Sequence, residues 1–353
     1  VVSADPAGSG SRVLTGGGQD PRPTRPGRIR HWAAPRRIGA AYLWAAIIVL
    51  FGILEPDLFL SSDTAAGIAN SHSVAGLAAL AVLLPLVAGA FDVSVGATMS
   101  LASVVTGKLL LETGLPVEAL VLAGVGVGAA VGLVNAIVVV GLRIPSLIGT
   151  LAVSGIVGAL AVGVSGNRTL AGPRLGGEFR DLLAQPAIGD FGRPVLFVLV
   201  LMVVLGLTLE QTQLGRYMYA AGFNAETARL AGLRVAGLKA LSLVVGGMIA
   251  AFAGVVLTAR LSSATPAVGN PYLLPAFAAA FLGATQFRDL RFNAWGTILA
   301  VFMLATGQYG LLISGAPSWS ADVFQGVALI AAVGLTHFGS RRRSVPNHEP
   351  GAP

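Results

Sequence analysis

Gly89-Ala90-Phe91-Asp92-Val93-Ser94-Val95-Gly96 lies inside residues 74–111, a run of 38 residues with no polar linker. One membrane-crossing helix needs about 20 apolar residues, so the run is too long for a single crossing. The chain must turn or break within the octet. Backbone groups freed by that break need protein partners, because lipid offers none. Pro85, one turn earlier, loosens the preceding helix further. Discontinuous helices of this kind are where transporters build their pathways.

The composition agrees with a membrane setting. Charged residues are 11% of the 353, against about 25% in soluble proteins. Hydrophobic residues reach 54% and the mean hydropathy is +0.78. Sixteen acidic and 23 basic side chains cannot cover a water-soluble surface of this size. Glycine occupies 47 positions, and in membrane helices it lets backbones approach closely. A soluble enzyme, a disordered chain and a collagen are all excluded. With no cysteine, there is no disulfide framework, thiolate zinc site, thiol nucleophile or iron–sulfur cluster. His31, His72, His337 and His348 are too scattered to form a metal motif.

Apolar stretches over 38–54, 70–90, 93–111, 117–141, 144–166, 193–210, 239–260, 272–286, 294–313 and 319–337 give an all-α, polytopic bundle of about 10 transmembrane helices. The stretch 272–286 is the weakest, being short and carrying Pro275, so it reads as a full crossing or as a re-entrant segment. Residues 1–37 are rich in Pro, Gly and Arg and read as a disordered basic tail, not a secretory signal. Residues 338–353 read as a second tail. The net charge of +7 is placed for topology and not for nucleic acid. With the N-terminal tail in the cytoplasm and ten alternating crossings, 17 basic residues fall inside and six outside. That asymmetry puts both termini in the cytoplasm.

Few polar residues lie within these stretches. Asp92 is the carboxylate most embedded in apolar sequence. It reads either as a pathway or gating residue, or as a cap accepting N–H bonds at the start of the next helix. Asn70, Ser94 and Asn135 are further candidates for the translocation pathway, or for hydrogen bonds between helices. Gly124, Gly128 and Gly132, four apart, form a small-residue stripe that allows two helices to cross closely.

The connection over 211–238 carries a local design. Asn224 is a good helix cap, Glu226 sits in the first turn, Arg229 near the end, and Gly232 can close the helix. Its expected exposed chemistry is small and apolar, with Ala225, Ala228, Leu230 and Ala231. The segment is either a plain connector or a short helix that inserts into a groove on another protein.

Four ordered stretches resemble permease subunits of ATP-binding-cassette importers, in the ribose-type monosaccharide branch. They are the octet 89–96, the segment Ile144-Pro145-Ser146-Leu147-Ile148-Gly149-Thr150-Leu151, the connection 215–235, and residues 254–264 ending in Arg260-Leu261-Ser262-Ser263-Ala264. The likeness runs from about residue 40 to 337. Two features depart from the branch. Leu273-Leu274-Pro275 stands where it typically carries a Glu-Leu-Asp arrangement, and residues 286–291 replace a glycine-rich turn.

The resemblance implies a coupling loop for an ATPase formed by Gly215, Arg216, Gly222, Asn224, Glu226, Ala228, Arg229 and Gly232. It also implies docking of an external solute-binding protein on the connection 167–192 through Arg168, Arg174, Glu178 and Arg180. A solvated loop is the plain alternative for that connection. No Gly-x-x-x-x-Gly-Lys-[Ser/Thr] phosphate loop is present. The chain is therefore expected to bind no cofactor, with ATP held on a separate ATPase subunit. The expected assembly is a second permease chain, the ATPases and the binding protein, in the bacterial cytoplasmic membrane, carrying a ribose-like sugar. Competing readings are a nucleoside or branched-chain amino acid permease of the same class, or an ion-coupled secondary transporter using Asp92 as the coupling carboxylate.

Overall fold

The computed structural model describes residues 39–286 and 291–341. The expected tail over 1–37, the part of the expected tail over 338–353 beyond Arg341, and residues 287–290 of the departing segment 286–291, Arg288 among them, lie outside these residues. Helix α1 is Gly39–Leu54, followed by a single turn, α2, at Pro56–Phe59. Then come α3 (Ser62–Val87), α4 (Val95–Glu112), α5 (Val117–Ala136) and α6 (Ser146–Ser165). A π-helical turn, Ile137–Gly141, extends α5. The connection to the next long helix holds β1 (Leu170–Ala171), α7 (Glu178–Ala184), β2 (Pro186–Ile188) and β3 (Phe191–Gly192). Next are α8 (Arg193–Gln211), α9 (Gln213–Phe223), α10 (Ala225–Leu230) and α11 (Val235–Leu261). The chain closes with β4 (Ser263–Ala264), α12 (Leu273–Ala284), α13 (Ala294–Ile313) and α14 (Trp319–Arg341). Helix α14 runs past residue 337, the expected end of the bundle.

Seven helices among the described residues are long and apolar enough to cross a membrane. Helices α1, α12 and α14 occupy the other three expected stretches, with shorter apolar segments. The break between α3 and α4 falls within the octet. Gly89, at φ +73°, takes the left-handed conformation that ends α3. Its N–H reaches Leu86 O and the Ala90 N–H reaches Pro85 O, so the last carbonyls of α3 are satisfied inside the protein.

Helix α11 is the central element. Its 27 residues extend for about 40 Å, packed against α3, α4 and α5 on different faces. Small residues permit each approach. A Cβ on Gly128 of α5 would collide with Gly247 O, and one on Gly132 would lie 2.6 Å from Leu243 O. On the other faces, a Cβ on Gly254 would collide with Met99 O, and one on Gly246 would lie 2.9 Å from Ala81 O. The stripe read at 124, 128 and 132 is thus the α5–α11 contact. Between hydrocarbon tails and helices there is no hydrophobic drive, so this close dispersion contact holds the pair.

Large apolar side chains point away from the protein on the outer helices, among them Leu122 of α5, Ile156 of α6 and Val200 of α8. Helix α12 differs. Its 12 residues cover about 18 Å, roughly half a membrane crossing. The run 263–272 that precedes it leaves β4 beside α4, where Ala264 packs on Gly107, and then follows α4 inward. There the Gly269 N–H donates to Ser100 Oγ at 2.9 Å. Beyond α12, Phe292 O accepts from the Tyr219 hydroxyl of α9 at 2.6 Å, at the opposite end of the bundle from β4. The irregular run and α12 together therefore pass from one end to the other, and the choice for 272–286 is the full crossing, made half by irregular chain and half by helix.

The connection over 167–192 is a folded cap. Leu175, Phe179 and Leu183 are buried against Leu110, Val117 and Leu120, β1 pairs with β4, and β2 pairs with β3. Residues 213–234 form the opposite end of the bundle, the knob end. Gly128→Leu should prevent the α5–α11 approach, an overpacking cost of at least 1–3 kcal/mol. Gly126→Leu, two residues along on an open face, should be neutral within about 0.5 kcal/mol. Thermal stability of the two detergent-solubilised variants checks this, and equal melting would refute the packing.

Candidate functional site

The octet forms an elbow whose backbone is held by side chains of α6 and by Asp92 of the elbow itself. Ser146 Oγ, at the start of α6, accepts from Phe91 N at 3.0 Å, and Thr150 Oγ1 accepts from Val93 N at 3.0 Å. These two residues come from the segment 144–151, so two stretches quoted separately for their resemblance meet in space. Hydroxyls suit this place, since Thr150 Oγ1 also donates, to Ser146 O or Phe91 O. They supply the partners that lipid cannot.

Asp92 is 1% exposed. Its Oδ1 accepts from Ser94 N at 2.9 Å and from Ser94 Oγ at 2.6 Å. It closes a side-chain turn two residues long. The capping position of α4 is Ser94, whose own side chain caps nothing, so Asp92 shapes the entry to the helix without capping it. From α5, Asn135 Nδ2 donates to Ser94 Oγ at 2.7 Å, with Asp92 Oδ1 at 3.4 Å. Asp92 Oδ2 and Asn135 Oδ1 are buried with no hydrogen-bond partner among the described residues. Two free acceptors in a buried cluster are costly to leave unmade. The structure thus brings together Asp92, Ser94 and Asn135, three of the four residues assigned to the pathway.

Asn70 is elsewhere. It sits at the cap end, where its Nδ2 donates to Asp190 O at 2.8 Å and its Oδ1 accepts from Gly192 N at 2.7 Å. Its amide fastens the β2–β3 hairpin to α3. Residues 120 apart in sequence make this bond, and nothing in the local pattern signals it.

The knob is two helices, not one. Helix α9 is capped by Thr212, whose Oγ1 accepts from Gly215 N at 3.3 Å. Gly215 has no room for a side chain, because a Cβ would collide with Leu209 O at the end of α8. Arg216 is exposed and donates to Gln211 O at 3.3 Å. Asn224 then caps α10, accepting from Glu226 N at 3.1 Å and Thr227 N at 3.0 Å. Arg229 pairs with Glu226 at 2.6 Å on the open surface, a contact worth under about 1 kcal/mol there. Gly232, at φ +83°, ends the helix in the left-handed conformation. Ala228 is buried, correcting its expected place among the exposed small residues. What the knob presents instead is Phe223, 94% exposed, and Leu230, 80% exposed. Phe223 was missed because it closes α9, a helix that the single-helix reading did not include.

Knob and elbow touch. A Cβ on Gly222 would collide with Val87 O and lie 3.1 Å from Gly89 N. The two backbones therefore meet with no side chain between them. At the cap end, Arg168, Arg174, Glu178 and Arg180 are all exposed. Arg174 donates to Thr113 O at 2.6 Å, and Arg180 lines a cavity of about 250 Å³ together with Asn70 and Arg260. Among the described residues no group of His, Cys, Asp and Glu is placed to hold a metal ion.

Comparison with known proteins bears on this architecture. A family model described as the branched-chain amino acid transport system / permease component matches residues 64–333. The D-allose transport system permease protein of Escherichia coli K12 is 30% identical over 305 residues, covering 86% of this chain and 93% of that protein. The ribose import permease protein of the same organism is 31% identical over 298 residues, covering 82% and 90%. The ribose import permease protein of Bacillus subtilis is 28% identical over 307 residues, covering 87% and 94%. With 270 residues matched and its long apolar helices in place, the chain belongs to this permease family and is the multi-pass membrane component of a transport system.

Proposed function

We propose that the chain is the membrane-spanning subunit of an ATP-driven importer for a monosaccharide. It works as a pair of permease chains with two ATPase subunits and an external binding protein. The knob, and with it both termini, faces the cytoplasm of a bacterial cell. Closure of the ATPases on ATP pushes the knobs and switches the pathway between outward and inward access. The chain itself makes and breaks no covalent bond.

The observation that carries this reading is the exposed apolar pair on the knob. Phe223 and Leu230 stand in the open on a capped, rigid helical unit, the form of an anchor that enters a groove on a partner. A plain connector has no use for 94% exposure of a phenylalanine. The sugar class is supported by relatives whose names specify allose, fructose and ribose, with autoinducer 2 beside them. Selectivity among sugars rests in this scheme with the binding protein, which meets the folded cap at Arg168, Arg174, Glu178 and Arg180.

Two measurements test it. The double variant Phe223→Ser, Leu230→Ser should insert in the membrane at the wild-type level but retain less than about a thirtieth of the co-purifying ATPase, the loss of an anchor of 2–4 kcal/mol. Undiminished ATPase recovery would remove the knob from the coupling. Asp92→Asn can still accept from the Ser94 N–H, so it should fold normally. With Asp92 in gating, uptake in cells should fall by about tenfold or more, and unchanged uptake would leave Asp92 a purely structural turn residue.

A further inference from the structure

We propose that Phe91, Phe277 and Phe281 form a hydrophobic gate on the solute pathway, moved by the contact between Gly222 and Gly89. This rests on reading the chain as a transport subunit and adds where its pathway narrows. Phe91 sits on the elbow and stacks on both α12 rings, with centroids 6.3 Å from Phe277 and 6.4 Å from Phe281. The two α12 rings are 6.5 Å apart, and the three lie within 28° of parallel. Phe91 is 40% exposed and the other two are half-buried, so the cluster closes on itself and still presents a face outward.

That face cannot be turned to hydrocarbon. Phe281, Phe277, Leu274 and Asn270 make one stripe, with Leu274 and Asn270 exposed. The irregular chain bearing Asn270 lies well inside the bundle, beside Ser100 and seven residues along α4 from the level of Gly107, which is about 10 Å. Irregular backbone and an exposed amide are tolerated at such depth only where they are buried in protein or line a watery cavity. The stripe therefore borders a polar space at Asn270 and becomes apolar further toward the knob end. A path that passes from polar walls to a ring of phenyl groups is a constriction that closes by expelling water.

The mechanical link is on the other side of the same elbow. Gly222 of the knob meets the backbone at Val87 and Gly89, two residues before Phe91. Packed atoms without an intervening side chain transmit displacement with little slack. Phe91 is thereby attached to the knob through the elbow, whereas Phe277 and Phe281 belong to α12, which packs on α3, α13 and α14. A shift of the knob relative to α12 separates the rings.

The absence of cysteine makes the test direct. Single variants Asn270→Cys, Phe277→Cys and Phe281→Cys, in the full chain in its native membrane with its partners, are treated with a membrane-impermeant methanethiosulfonate ammonium reagent. Leu122→Cys, on an outward apolar face, is the lipid reference and Glu118→Cys, exposed in the first turn of α5 at the cap end, the water reference. The stripe should react at least tenfold faster than Leu122→Cys, and Phe277→Ala with Phe281→Ala should raise ATP-independent leak of sugar about tenfold. Reaction as slow as at Leu122→Cys, at Asn270→Cys as well as at the two ring positions, would place the stripe against lipid or protein and overturn the gate. So would labelling without leak in the double alanine variant. Labelling needs no ATP, so loss of the ATPase reading would leave this result standing, and loss of the gate would leave ATP-driven uptake intact.

Discussion

Hydrocarbon supplies no hydrogen bonds, and the candidate site of this chain lies where its helices stop. The elbow at residues 88–94 exists because Ser146, Thr150, Asp92 and the last carbonyls of α3 satisfy its backbone. Each bond is modest in water, but an unmade one at this depth costs several kcal/mol. The elbow is therefore fixed in form while remaining a break in the helical rods. A rod transmits force along its axis, and a fixed break can redirect it sideways.

Close packing is the route by which the proposed force would reach the elbow. Helix α11 draws α3, α4 and α5 together through glycines that admit neighbouring backbones, and the same device joins knob to elbow at Gly222 and Gly89. The exposed apolar pair Phe223 and Leu230 stands on the far side of that contact. One continuous series of packed groups thus leads from an exposed surface at the knob end to a buried polar cluster and three aromatic rings. The family assignment and the geometry agree on a permease whose work is done by movement and not by chemistry.

Much of this architecture is legible in the residues, for identifiable reasons. Long apolar stretches and the absence of a linker around the octet fix crossings and break because a membrane span has a set length. The capping pattern from Asn224 to Gly232 is local, so it appears in the chain as it does in space. Contacts between distant residues are not legible. Asn70 belongs with the β2–β3 hairpin rather than with Asp92, and Ala228 turns inward only because α10 folds against its neighbours. Helix α9 escaped notice because Gly215, Tyr217 and Gly222 resemble loop composition, although the glycines serve contacts with Leu209 and Val87. The cap was read as a loop although Leu175, Phe179 and Leu183 recur every four residues, a buried helical face.

The central claim is that the power for transport enters through the knob from an ATP-hydrolysing partner. It is tested most directly by sugar uptake in cells expressing the full system, with ATP depleted while the proton and sodium gradients are kept, and then with the gradients collapsed while ATP is kept. The account predicts that uptake stops in the first condition and continues in the second. Uptake that follows the gradients and ignores ATP would contradict it.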